Sequence, residues 1–317
     1  MALFLKTSEV FYIQHFIIDL TLLWSKQQIE ESEMVIIQQK TGRLANRLFL
    51  FSKFIVNAIE HNYKLINPTF DEYCKYFEST RENQFGRFPI SVRLDNGNSY
   101  RTFQLKTTLL RYIVPKTSEY EFIVPDITNK QNLNDPAYID KAQKKTIYAS
   151  GWFFYEGENL VKHASTIRSF FKPDEHTSKE IATCLNPIKE NHDILIGVHI
   201  RRGDYRTWKS GRYFYNNETY RYYMKSLEMQ FNELGKSVAF VLCSNESISL
   251  DWFMDLNCFH APGGMISDLY TLSECDYIFG PPSTYSMWAS YYGNVPLKHL
   301  EHSRDHIHYQ MFSALYN

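Results

Sequence analysis

The stretch Ile194–Tyr205, ILIGVHIRRGDY, constrains what this chain can fold into more than any other. Ile194 to Ile200 is an apolar run of the length and bounding expected for a central strand of a parallel sheet. It stops at Arg201, Arg202 and Asp204, with His199 just inside it. Charged side chains are seldom buried without a partner, so two adjacent arginines at the end of a buried strand call for an anion. In open α/β sheets ligands bind beyond the carboxyl ends of the strands, and the planar guanidinium fork fits phosphate or carboxylate with paired hydrogen bonds. The reading is an anion site for a phosphorylated ligand; the competing one is an exposed turn with solvated arginines. Reading Arg202-Gly203-Asp204 as an adhesion motif fits less well, because it follows an apolar strand and no secretory leader is read ahead of it.

The same grammar repeats beyond this strand. A helix is predicted from Thr219 to Leu234, with Tyr220, Tyr223, Leu227 and Phe231 on one face, then a strand Val238–Cys243 ending at Ser244-Asn245. A short helix Ser267–Glu274 with Ser267 as its N-cap, a strand Tyr277–Phe279, a loop Gly280–Ser286, a helix Met287–Tyr292 and a strand Val295–Leu300 complete the pattern. Strands alternating with helices imply a parallel sheet, and right-handed crossovers bring the strand carboxyl ends to one edge. Arg201/Arg202, Ser244/Asn245 and Ser283/Thr284 should therefore converge, a cradle suited to a diphosphate.

The first half reads as a second such unit. A strand Met34–Gln39 leads through a turn holding Gly42 into a helix that runs to about His61, with Leu44, Leu48, Phe51, Ile55 and Ile59 as its buried face, and a strand Tyr63–Ile66 comes next. The spacing of a Walker loop is absent. Between Pro68 and Asn134 helices and loops are expected to cover the sheet, Lys144–Ala149 is read as a strand, and Pro173–Asn191, with Pro173 and Pro187 and much charge, as an interdomain connection.

At 317 residues, two domains are expected. A net charge of −1 gives no basic field for nucleic acid, and five dispersed cysteines form no CxxC or metal spacing. Aromatic residues reach 16%, which suits large cores first and sugar-stacking surfaces second. Phe11–Trp24 is too short and polar to span a membrane and reads as an amphipathic helix. The expected location is cytoplasmic, with at most peripheral membrane contact; the oligomeric state stays open.

Together these blocks resemble the fucosyltransferase superfamily of α-1,2-, α-1,6- and protein O-fucosyltransferases. His199–Tyr205 looks like its HxRRxDY block in the α-1,2 form, Gly42–Phe49 like its N-terminal loop, Ser150–Tyr155 with Ile167–Phe171 like its middle block, and Asp268–Trp288 like its donor motif. The resemblance implies an α/β, GT-B-like fold: two Rossmann-like domains with parallel sheets facing a cleft, residues 1–172 on the acceptor side and 173–317 binding the donor. It implies transfer of fucose from GDP-fucose to a hydroxyl of an oligosaccharide acceptor with inversion, in α-1,2 linkage, with no metal or other cofactor required. By the same resemblance Arg201 binds the β-phosphate, Asp204 orients the arginines or the acceptor, and His199 supports the arginines or the nucleotide. Asp268 contacts guanine or the phosphate-loop backbone, Ser283 and Thr284 bind phosphate, and Gly42, Arg43 and Asn46 close on the donor. Arg202, Ser244, Tyr285 and Ser286 complete the donor site. Ala45, Arg47, Ser244-Asn245 and Gly280-Pro-Pro depart from the family pattern, which keeps open a second reading, a catalytically inactive GDP-sugar or glycan-binding module on the same fold.

Overall fold

The computed structural model describes residues 34–82, 90–92, 100–113 and 119–315. The helix expected at Phe11–Trp24 lies outside them. Among the described residues no helix is long and apolar enough to cross a membrane.

Two five-stranded parallel sheets organise the chain. The first holds β1 (Met34–Ile37), β2 (Lys64–Ile66), β3 (Ile90–Ser91), β4 (Tyr120–Ile123) and β6 (Thr146–Ala149), in the order β3-β2-β1-β6-β4. A separate parallel pair joins β5 (Gln131–Asn132) to β7 (Phe154–Tyr155). The second sheet holds β8 (Ile194–Ile200), β9 (Val238–Ser244), β10 (Cys258–His260), β11 (Tyr277–Gly280) and β12 (Leu297–His299), in the order β10-β9-β8-β11-β12. Each sheet changes direction of winding at its first strand, β1 or β8. A topological switch point of this kind opens a crevice beyond the strand's carboxyl end.

The helices follow the apolar periodicity. α1 (Leu44–His61) buries Leu44, Leu48, Phe51 and Ile55, and stops where Asn62 turns left-handed and its N–H closes on Ala58 O at 2.8 Å. α2 is Tyr100–Ile113, α3 Glu175–Asn191, α4 Asn217–Glu233, α5 Ser267–Ser273 and α6 Thr284–Gly293.

Three sequence expectations are corrected. The region Pro68–Asn134 supplies β3 and β4 to the first sheet as well as α2, so it builds the layer it was expected only to cover. Proline and charge concealed α3, which occupies the expected connection: Asp174 caps it by accepting from Thr177 N–H at 3.0 Å, and Pro187 lies inside it. Ser267 is not an N-cap but the first helical residue of α5; its hydroxyl donates instead to Glu180 at 3.0 Å. The edge strand β10 was not anticipated.

The aromatic surplus goes mostly into the core. One apolar cluster contains Val35, Phe51 and Ile147 around the first sheet together with Leu195, Tyr270 and Trp288 around the second. α1 and α6 meet through Phe49 and Trp288, edge to face at 5.2 Å. Phe171 packs on the same indole at 5.5 Å. Buried hydrogen bonds cross between the halves, from Tyr270 Oη to Phe171 O at 2.6 Å and from Tyr291 Oη to Leu160 O at 2.9 Å. This contact fixes how the two sheet edges face each other.

Candidate active site

The carboxyl edge of the second sheet and the start of α1 enclose a cleft of about 1200 Å³. One wall is the end of β8. The strand's penultimate residue is His199, 4% exposed, whose ring stacks on Tyr285 at 5.2 Å. Gly280 on the neighbouring strand runs so close that a Cβ there would lie 2.4 Å from His199 O, which is why a glycine stands at that position. Burial, reinforced by Arg201 and His299, pushes the His199 imidazole down to about 3, so the ring is neutral near pH 7.

Arg201 follows. One edge of its guanidinium is engaged by Asp204, 2.8 Å from Nη2, and its plane lies 5.6 Å over the Tyr205 ring. Its Nε is buried without a hydrogen-bond partner among the described residues, and a buried donor of this kind is costly to leave unpaired. Tyr205 in turn donates to Pro282 O at 2.5 Å, locking the arginine turn to the Ser-Thr loop.

That loop begins α6. Ser283 caps the helix by accepting from Tyr285 N–H at 3.2 Å, and the first turn carries no acidic residue, so the positive end of the helix dipole is left free. Tyr285 is pinned by its hydroxyl to Met265 O at 2.8 Å. At the far side Asp268, 6% exposed, accepts from Gly263 N–H at 2.9 Å. Burial raises its carboxyl to about 6 against that hydrogen bond.

The opposite lip comes from the first half. Gly42, at φ +65, occupies a left-handed conformation that favours glycine. Arg47 clamps this loop: its Nε donates to Gly42 O at 3.2 Å and its Nη1 to Glu72 at 3.0 Å. The arginine that departs from the family pattern is thus a buried brace. Arg43 and Asn46 line the cleft, and α1, like α6, has no acid in its first turn.

Of the residues singled out from sequence, Gly42, Arg43, Asn46, His199, Arg201, Asp204, Ser244, Asp268, Ser283, Thr284 and Tyr285 line this one cleft. Two do not line it. Arg202 turns its guanidinium to the side chain of Asn217 at the start of α4, while its backbone N–H donates to Asn245 at 2.9 Å. Ser286 is fully buried and donates to Ser283 O at 3.1 Å. Further lining residues escaped the sequence reading, among them His299, Glu246 and Trp208. His299 ends β12 with Nε2 3.2 Å from Ser286 Oγ, and burial lowers it to about 4. Glu246 accepts from Gly203 N–H at 3.0 Å and pairs with Arg206 at 3.0 Å. Trp208 lines the cleft with its ring against Tyr205 at 4.7 Å. Strand-end position alone could have pointed to His299; nothing local marks the other two. Among the described residues no cluster of three or more His, Cys, Asp or Glu could hold a metal ion.

The sequence model of Glycosyl transferase family 11 matches residues 105–295. A search of curated proteins by sequence finds no match. Among solved structures, a mutant of Arabidopsis thaliana FUT1 in complex with GDP superposes with a TM-score of 0.56 at 13% identity, over 86% of this chain and 72% of that one. NodZ alpha-1,6-fucosyltransferase soaked with GDP-fucose gives a TM-score of 0.52 at 14% identity, over 86% and 96%. These likenesses bear out the α/β, GT-B-like fold with parallel sheets.

Proposed function

The chain belongs to glycosyl transferase family 11, and on that footing we propose that it transfers fucose from GDP-fucose to a hydroxyl of an oligosaccharide, with inversion, in α-1,2 linkage and without a metal ion. The observation that carries the reading is the convergence of Arg201, the N-terminus of α6 and Asp268 on one cleft. The arginine and the helix end suit a diphosphate. Asp268, once ionised, suits the N1–H and exocyclic amine of guanine. The neighbours are consistent with this: one is described in complex with GDP and one soaked with GDP-fucose.

In this mechanism the acceptor oxygen attacks the anomeric carbon from the face opposite the diphosphate. The bond from that carbon to the β-phosphate oxygen breaks, and its electron pair stays on the phosphate. Arg201 stabilises that developing charge, with Asp204 holding the guanidinium in place; such preorganised donors commonly contribute several kcal/mol to a rate. The acceptor proton must also leave. Asp268 is buried and Glu246 is held by both Gly203 N–H and Arg206; Asp204, the most exposed of the three cleft carboxylates and held by Arg201 alone, is the one we assign to receive it, releasing Arg201 to the phosphate as it does so. His199 keeps the wall behind Arg201 free of a second cation.

The test is a transfer assay with GDP-fucose and a mixture of free oligosaccharides, with the products sequenced for linkage. Fucosylated product in α-1,2 linkage, formed equally with and without EDTA, is expected. No product from any glycan, or a strict requirement for added Mn²⁺ or Mg²⁺, would overturn the reading.

A further inference from the structure

The outer strand β12 ends at the cleft in an imidazole that the transfer chemistry leaves without a task. This is His299, half-buried and part of the cleft lining. One nitrogen of the ring is fixed from below. Ser286 Oγ lies 3.1 Å from Ser283 O and 3.2 Å from His299 Nε2. Two oxygens that close need a proton between them, and a hydroxyl has only one to give. The Ser286 proton therefore points at Ser283 O, and Nε2 carries the hydrogen that Ser286 Oγ accepts. Nδ1 is left with a bare lone pair, and it has no partner among the described residues. Burial keeps the ring neutral near pH 7, so Nδ1 is a standing acceptor.

Its place along the sheet says what it meets. The strands run in the order β10, β9, β8, β11, β12. Asp268 belongs to the β10 side: it accepts from Gly263 N–H at 2.9 Å in the loop after that strand, and its carbonyl accepts from Cys243 Sγ near the end of β9 at 3.6 Å. Arg201 follows the central strand β8. His299 ends the opposite outer strand, two strand spacings further on, about 10 Å. A nucleotide with its base at Asp268 and its diphosphate between Arg201 and the start of α6 has its ribose on the Asp268 side. Whatever the β-phosphate carries lies toward His299. Ionised phosphate oxygens are acceptors only and leave Nδ1 unpaired; a sugar hydroxyl pairs with it.

We propose that His299 is a specificity-determining residue for the donor, its Nδ1 accepting a hydrogen bond from a ring hydroxyl of the transferred fucosyl group. The inference rests on the donor-site reading and deepens it, because it gives the sugar a contact separate from those of the guanosine diphosphate. A site that pairs a ligand hydroxyl rejects the analogue lacking it, since the protein's polar atom is then left unpaired.

The experiment is calorimetry on the full chain with GDP, GDP-fucose and GDP-fucose analogues in which each ring hydroxyl in turn is replaced by hydrogen. The proteins are the parent, His299→Phe, which keeps a flat ring without a nitrogen, and His299→Asn, which sets an amide oxygen near the place of Nδ1. In the parent one deoxy analogue should bind about fivefold more weakly than GDP-fucose, the usual worth of one hydrogen bond. His299→Phe should bind GDP as the parent does, lose the same factor toward GDP-fucose, and no longer distinguish it from that analogue. His299→Asn should retain the distinction. Melting without ligand shows that each variant is folded. Equal weakening of GDP and GDP-fucose in His299→Phe, or a preference over the deoxy analogue that survives there, would overturn the assignment. So would a parent that binds every deoxy analogue as tightly as GDP-fucose, a result that needs no variant. Failure of the parent to bind GDP at all would instead remove the donor reading, a separate outcome from the same titrations.

Discussion

Arg201 combines a buried, unpaired Nε with an Nη2 already committed to Asp204, so its plane is set before any ligand arrives. Arg201→Ala should lower turnover by roughly a hundredfold, about 3 kcal/mol, the usual loss for one preorganised donor at developing charge. Arg201→Lys should recover only part of it, because the charge is kept and the fork is lost. Steady-state kinetics on variants with unchanged melting behaviour check both. The titrating residues give a second prediction. Burial holds His199 near 3 and His299 near 4, so between those values and about 6.5 the unfolded chain takes up protons that the folded chain refuses. Stability therefore falls as pH falls through that window. Asp268 works the other way: at about 6 it is protonated in the folded chain while the unfolded carboxyl, near 3.8, has ionised, so its contribution is lost as pH rises from about 4 to 6. Asp268→Asn removes this opposing contribution and should steepen acid destabilisation between pH 4 and 6, by at most about 1.4 kcal/mol per pH unit. Urea unfolding at several pH values reads it; parallel curves for the two proteins would refute the assignment. Arg201 and Asp268 were legible because a buried strand or a motif pointed at them. Glu246 and Trp208 were not, because loops whose path depends on tertiary contacts bring them to the cleft.

At the scale of elements, period and punctuation identified α4, β8, β9 and β11 within a residue or two of their ends, and α1 at its carboxyl end. They failed where local signals mislead. Pro187 suggested a linker, yet proline's costs inside a helix are overridden where α3 buries Ile181, Leu185 and Ile188 against the core. The two-residue strand β3 and the three-residue strand β10 are too short to carry a period. Ser267 resembles a cap in sequence, but the helix starts beside Ile266 and the hydroxyl is engaged by Glu180 from α3. The pairing of α1 with α6 was invisible from either helix alone, and it is what sets the width of the cleft. Trp288, fully buried between Phe49 and Phe171, is the test of it. Trp288→Ala should cost about 3–5 kcal/mol, as for other buried aromatics, and should weaken donor binding although residue 288 does not line the cleft. Denaturant titration followed by nucleotide binding measures the two effects; a loss of stability with donor affinity intact would separate this contact from the site.

For the whole molecule, two parallel sheets wound from their first strands place a switch point at β8 and another at β1, and the shared core turns these crevices into one cleft. This much was legible because alternating strands and helices dictate parallel sheets, and parallel sheets dictate which edge binds. How far the core runs from one sheet into the other was not, since the apolar residues of Phe49–Phe51 and Tyr270–Trp288 state that they are buried and not against what. The central claim is that the cleft is built for a guanosine diphosphate held by Arg201. Isothermal calorimetry of GDP and UDP against the parent protein and Arg201→Ala, with no divalent ion added, tests it most directly. The account predicts binding of GDP by the parent, much weaker binding of UDP, and a large loss of GDP affinity in Arg201→Ala. Equal affinity for the two nucleotides, or GDP binding untouched by the substitution, would contradict it.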